Sequence, residues 1–242
     1  MMSYRGKSNS GDNLGGFGVI AVIAFLIVLS YFQEKKRKKE ICEYCEKNNI
    51  EYYETVGDSY FPQNARDFKS IQRGVNKSIE CVMKIERDGL LLYIFDFEFI
   101  TEKEGIETIR SKEYRKTRSY PHDETICLIN KPNINFPKFY LRNKNENSDP
   151  YTNFASFGKQ DIKIDGDSYF SHNFLLNGMP EEDVKAFFSQ QIIDSFKKNH
   201  IERYRYEAKK DCFMVSMPKK MVLKERLEFL KNSLNLFNEI VD

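Results

Sequence analysis

"NKSIECVMKIERDGLLLYIFDFEFIT", residues 76–101, decides the fold. Two runs rich in β-branched and aromatic residues meet at Arg87-Asp88-Gly89, and Asp-Gly between apolar runs is a strong hairpin signal. In the second run the side chains alternate between two faces. Tyr93, Phe95, Phe97 and Phe99 share one face, while Leu92, Ile94, Asp96, Glu98 and Ile100 share the other.

The pattern continues on both sides of the hairpin. "IEYYETV" (50–56) reads as a short strand, followed by the turn-rich "GDSYFPQNARDF" (57–68). Downstream, "DETICLINKP" (123–132) and "KFYLRNK" (138–144) extend the sheet, with Pro132 and Pro137 marking its breaks. Residues 145–158 read as a loop, and "DIKIDGDSYF" supplies an extended piece around the Asp165-Gly166-Asp167 turn. Met179-Pro180-Glu181-Glu182-Asp183 is a helix start, with proline in the first turn and acids on the dipole. Val184, Phe187, Phe188, Ile192 and Phe196 form that helix's inward face. A hairpin turning at Lys209-Lys210-Asp211 follows, then a final helix from about Lys220 to Ile240. Leu223, Leu227, Leu230, Leu234 and Phe237 give it a stripe that Phe229, Leu236 and Ile240 widen beyond a coiled-coil seam, which suits a helix lying on a sheet.

The N-terminus is different. From Leu14 to Gln33 no residue is charged, and as a helix this run would be about 30 Å long, the thickness of a bilayer core. Phe17, Val19, Ile20, Val22, Ile23, Phe25, Leu26, Ile27, Val28 and Leu29 leave no polar face, and Tyr31 and Phe32 fall where interfacial aromatics belong. The run is too long for a cleaved signal peptide and ends in cations rather than a small-residue cleavage site. Lys35, Lys36, Arg37, Lys38 and Lys39 flank it on the C-terminal side, against Arg5 and Lys7 on the other. The positive-inside rule then places the N-terminus outside and the rest in the cytoplasm. The odd number of cysteines, without disulfide-like spacing, suits a reducing compartment.

The expected organisation is a short extracytoplasmic tail (1–13), a transmembrane helix (14–33), a basic juxtamembrane helix (34–49) and a cytoplasmic α+β domain (50–242). The expected fold class is α+β: an N-terminal transmembrane helix, then a mostly antiparallel sheet packed by two or three helices. The expected location is the cytoplasmic membrane, in a single pass. Lipid is the expected partner of residues 14–33, and anionic lipid a candidate partner of residues 35–39. The whole chain carries +2, but residues 1–40 alone hold seven Lys/Arg against three Asp/Glu. The remainder is therefore close to neutral and lacks the electrostatic footprint of a nucleic-acid binder.

Several residues invite chemistry. Asp96 and Glu98, two apart on one strand face, are candidates for acid–base work, and His122 is five residues from Cys127. The alternative is an ion-paired sheet face. "IRSKEYRKTRSYPH" (109–122) interleaves cations with Tyr114 and Tyr120, making Arg115, Lys116 and Arg118 candidate binding residues for phosphate, an acidic partner or lipid; Arg203-Tyr204-Arg205-Tyr206 is a shorter patch. Cys42-Glu43-Tyr44-Cys45 has no second pair to complete a zinc site. Lying within a helix among acids, it reads as two small packing residues, with a redox or metal role as the alternative. Gly16-x-Gly18-x-x-Ala21 falls inside the apolar helix and cannot be a dinucleotide turn. Asp161 to Asp167 resembles the front of a calcium loop, but Lys163 and His172 stand at positions three and twelve, where an acid and a bidentate glutamate are needed. No cofactor or metal is expected.

Phe95-Asp96-Phe97-Glu98-Phe99, Glu124-Thr125, Phe136-Pro137-Lys138-Phe139-Tyr140-Leu141 and Phe170-Ser171 through Gly178 occur in an order that resembles a group of uncharacterised bacterial proteins. Those have an N-terminal membrane anchor and an α+β cytoplasmic domain. The first strand departs from their F-D-Y-x-Y pattern by carrying phenylalanine for tyrosine. The resemblance implies fold and membrane location and no activity. The function expected is a membrane-anchored binding or interaction module with an unidentified protein partner; the alternative is a membrane-tethered enzyme using Asp96, Glu98 and His122.

Overall fold

The computed structural model describes residues 13–109, 112–144, 161–199 and 203–241; the side chains of 13–21, 58 and 103–116 lie outside that description. Its centre is an eight-stranded sheet in the order β1-β2-β3-β4-β8-β7-β5-β6, antiparallel throughout. The strands are β1 (Glu51–Val56), β2 (Val75–Arg87), β3 (Leu90–Ile109), β4 (Lys112–Asn130), β5 (Phe136–Asn143), β6 (Phe174–Met179), β7 (Arg205–Lys210) and β8 (Cys212–Met217). The helices are α1 (Asn13–Lys47), α2 (Gln63–Arg66), α3 (Lys69–Gln72), α4 (Ser168–Asn173), α5 (Glu181–Phe187), α6 (Gln190–Lys198) and α7 (Leu223–Val241).

The quoted hairpin forms as its sequence requires. Asp88 and Gly89 both take positive φ, 53° and 74°, the backbone of the two-residue turn that matches strand twist. The two faces of β3 enter separate cores. Leu92 and Ile94 join the larger one, with Ile41 and Cys45 of α1, Phe188 and Phe196 around α5 and α6, and Phe229 and Phe237 of α7. Tyr93, Phe95, Phe97 and Phe99 join the second, beneath Phe61, Phe68 and Ile71 from the short helical segments before β2.

The structure corrects the expected fold class in two respects. Among the described residues, no helix is long and apolar enough to cross a membrane. α1 joins its apolar stretch without a break to a charged half that begins at Glu34 and packs on the domain. Nor do two or three helices suffice: seven are described, on both faces, because each core needs its own cover. The single helix expected after Met179 is two, α5 and α6, broken at Phe188 and Ser189. Ser168 to Phe170, expected as the end of an extended piece, instead open α4 ("SYFSHN"), capped by Asp167, and "FLLNGM", not assigned from sequence, is the edge strand β6. The loop expected at 145–158 lies outside the described residues.

Candidate functional site

Asp96 sits in the middle of β3, facing α1 and α7, with no exposed surface. Its Oδ1 lies 2.5 Å from Nη2 of Arg226. Its Oδ2 lies 2.7 Å from Nη1 of Arg37, at ion-pair distance but without hydrogen-bond alignment. The backbone is shaped around this cluster. The β2–β3 ladder skips from Glu80↔Asp96 to Met83↔Ile94, a bulge with Cys81 at φ 52°. The Cys81 carbonyl accepts from Arg226 Nη1 at 2.8 Å. Arg37 donates to the Met221 carbonyl at 3.1 Å and to both oxygens of Glu34, at 2.6 and 3.0 Å. Thr125 Oγ1 lies 3.1 Å from Asp96 Oδ1 and accepts from the Met221 amide at 3.1 Å.

Two buried guanidiniums thus meet one fully buried carboxylate, Asp96, and one at the half-exposed edge of the cluster, Glu34. Burial lowers the pKa of Arg226, with Asp96 opposing it. Burial also works against the Arg37 charge, but hydrogen bonding to Glu34 and the Asp96 charge outweigh it, and that pKa is raised. The hydrogen bond from Arg37 in turn lowers the pKa of Glu34.

Glu98, two residues along the same face, pairs with Lys220, which also lies 3.9 Å from Glu34 and from Asp123. Lys220, Glu34 and Asp123 border a cleft of about 560 Å³ between α1 and the approach to α7, lined also by Ser30, Gln33, Lys36 and Val222. His122 is on the opposite sheet face, with Nε2 2.7 Å from Thr101 Oγ1 and its ring stacked on Phe99 at 4.8 Å. The structure therefore brings Asp96 and Glu98 onto one face, Asp96 against Arg226 and Arg37 and Glu98 against Lys220, and keeps His122 apart from both.

The cation run divides by helix phase. Arg37 and Lys38 turn inward, Lys38 to Glu80 at 2.6 Å. Lys35, Lys36 and Lys39 face out, with Lys36 and Lys39 side chains 79% and 75% exposed. Cys45 is buried, which pushes its thiol up to about 11; Cys42 is half-buried, its thiol raised by burial and by Glu46 at 3.6 Å. Among the described residues no group of three or more His, Cys, Asp or Glu could hold a metal ion.

In the basic segment, Arg118 is exposed, whereas the side chains of Arg115 and Lys116 lie outside the described residues. The register sets Lys116 opposite Gly105 and Arg118 opposite Lys103, on one face, and Arg115 opposite Ile106, on the other. Sequence reasoning missed a second buried polar group under α3. Glu124 meets Arg205 at 2.8 Å and also pairs with Arg73, whose guanidinium lies 4.6 Å from the Phe99 ring centre. Beside them Glu207 accepts from the Lys69 and Ser70 amides, both at 2.9 Å, and from the Ser70 hydroxyl. Burial nonetheless raises the Glu207 pKa. The available signal was a charged residue at an inward position of the 205–210 strand.

The fold has a solved counterpart. It is similar to the crystal structure of the mycobacterial trehalose monomycolate transport factor A, TtfA, with a TM-score of 0.54 and 11% sequence identity, over 85% of this chain and 94% of that one. At that identity the likeness shows the fold alone. No protein-family model matches the chain, and no curated protein does.

Proposed function

We propose that this chain acts by binding, as an interaction module held against a lipid surface on the cytoplasmic side, with the apolar end of α1 as its lipid contact. One observation carries the reading. Val22, Ile23, Phe25, Leu26, Ile27, Val28, Leu29, Tyr31 and Phe32 stand out from the domain with 39–64% of their surface exposed. Contiguous apolar surface of this kind marks an interaction or membrane site. A lipid occupant suits it because the exposed residues surround the helix, leaving no polar side to meet water, and because Lys35, Lys36 and Lys39 face outward just beyond them. The reading asks only that this end be covered by lipid, not that the helix cross the bilayer. That the structural neighbour is a transport factor is in keeping with a binding role.

The test is flotation of the full chain, purified in mild detergent, after detergent removal with phosphatidylcholine vesicles. The chain is expected to float with the vesicles, and a Phe25→Asp/Leu29→Asp variant to remain largely below. A chain that stays with the soluble fraction as a discrete oligomer, vesicles present, overturns the reading.

A further inference from the structure

β2 accompanies β3 no further than Ile100, and β8 accompanies β4 only from Thr125 onward. Between those limits, among the described residues, β3 and β4 pair only with each other, out to Ile109↔Lys112. The result is a two-stranded ribbon projecting about 30 Å past the sheet. Its direction follows from the cleft beside Lys220, the partner of Glu98: Ser30 and Gln33 of α1 lie there with Asp123 of β4, which the register sets opposite Glu98. The level of Asp96 is matched by Arg37 and the level of Glu98 by Glu34. Going toward its N-terminus, α1 thus advances the same way as β3 does toward the ribbon. The apolar end of α1 and the ribbon leave the domain at the same end.

The ribbon's charge is sorted by face. Opposed residues of an antiparallel pair share a face, and successive residues alternate. The register places Lys103, Lys112, Lys116 and Arg118 on one face with Tyr114 and Tyr120, and with Glu107 as the face's single acid. The other face receives Glu102, Glu104 and Glu113 against Arg115. Where description resumes, Arg118 and Tyr120 are exposed. Four cations with two tyrosines on one face match an anionic, amphipathic surface, since tyrosine favours the headgroup level of a membrane.

We propose that this ribbon face is a second lipid contact, recognising anionic phosphate headgroups of the surface against which the apolar end of α1 lies. The proposal rests on the lipid reading above and adds its headgroup class. Each cation near an anionic surface contributes about fivefold to partition, attenuated by salt.

The test compares full-length chain on phosphatidylcholine vesicles with and without phosphatidylglycerol. The parent is expected to bind the anionic vesicles at least tenfold more tightly at low salt. A K103Q/K112Q/K116Q/R118Q variant should lose most of that preference, keeping the share owed to Lys35, Lys36 and Lys39, while still floating with neutral vesicles. A K103R/K112R/K116R variant should keep it, which separates charge from misfolding. Equal binding of the parent to both vesicle types, or an undiminished preference in the glutamine variant, overturns the ribbon proposal and leaves the α1 reading standing. Capture on a soluble polyanion without vesicle preference also overturns it. Failure to float with either vesicle overturns the lipid reading itself.

Discussion

Replacing Asp96 by alanine tests the buried cluster directly. The carboxylate has no exposed surface and stands between Arg226, itself 0% exposed, and Arg37. Its removal leaves two interior guanidiniums with only Glu34 and backbone carbonyls as partners. Breaking a buried pair by deleting one member costs about 3–5 kcal/mol, because the remaining charge is neither solvated nor neutralised. For a domain of this size that lowers Tm by roughly 6–20 °C. Glu98 supplies an internal control. It shares the strand face but is half-buried, so Glu98→Ala should cost no more than about 1 kcal/mol despite the Lys220 pair.

The apolar replacement sharpens the argument. In D96L/R226M the buried pair is exchanged for hydrocarbon, and Arg37 keeps Glu34. Such exchanges are often close to neutral, so the double variant should recover most of what Asp96→Ala loses. The chain has no tryptophan, so urea unfolding is best followed by far-ultraviolet circular dichroism. Equal destabilisation by Asp96→Ala and Glu98→Ala, or no recovery in D96L/R226M, would refute the reasoning.

Other sites give independent checks. A Cβ on Gly178 would lie 2.5 Å from the Lys138 carbonyl and 2.5 Å from Val184 Cγ2, so Gly178→Ala should destabilise by about 1–3 kcal/mol in the same unfolding assay. Asp167 caps α4 by accepting from the Phe170 amide at 2.7 Å, and Asp167→Ala should cost about 1 kcal/mol. Lys197 and then the Phe170 amide hold the Asp167 pKa below its ordinary value. Its contribution is therefore present above about pH 4 and lost as pH falls through the lowered value, so an Asp167→Asn variant should show a shallower loss of stability at acid pH. Alkylation of the native chain should modify Cys42 first, as peptide mass mapping would show, because Cys45, Cys81, Cys127 and Cys212 are buried.

The sheet was legible because its signals are local. Period-two alternation in 90–101 put Phe95 and Phe97 on one face and Ile94 on the other, the faces that enter the two cores, and Asp88-Gly89 announced the turn. The charged cluster was not legible, because Asp96 meets Arg37 and Arg226 across long stretches of chain. One sequence signal did point to it. In α7 the fully buried seam is Arg226, Phe229, Ser233, Leu236, Phe237 and Ile240, whereas the leucines at 223, 227, 230 and 234 are only half-buried. An arginine and a serine at apolar spacing disguised the true seam, and a charge in such a place implies a buried counter-charge. The cations at 35–39 misled for a related reason: a run of like residues has no visible phase, so nothing local separates the two that turn inward from the three that face out.

That phase ties the two proposed lipid contacts into one body. α1 is fixed by charge as well as by packing: Arg37 must meet Asp96 while Lys38 meets Glu80. One residue of slippage would rotate the helix by about 100° and break both pairs. The same strand that carries Asp96 becomes the ribbon after Ile100, four residues or about 13 Å further on. Helix end and ribbon therefore share β3 as a common mount, and the spacing between them is held by the buried cluster rather than by a loop. Two contacts on a rigid mount engage a surface together only while their geometry is kept. Loosening α1 by Asp96→Ala should then weaken anionic-vesicle binding even though Asp96 itself is remote from lipid. An Asp96→Ala chain that remains folded and binds anionic vesicles as the parent does would show that the contacts act separately.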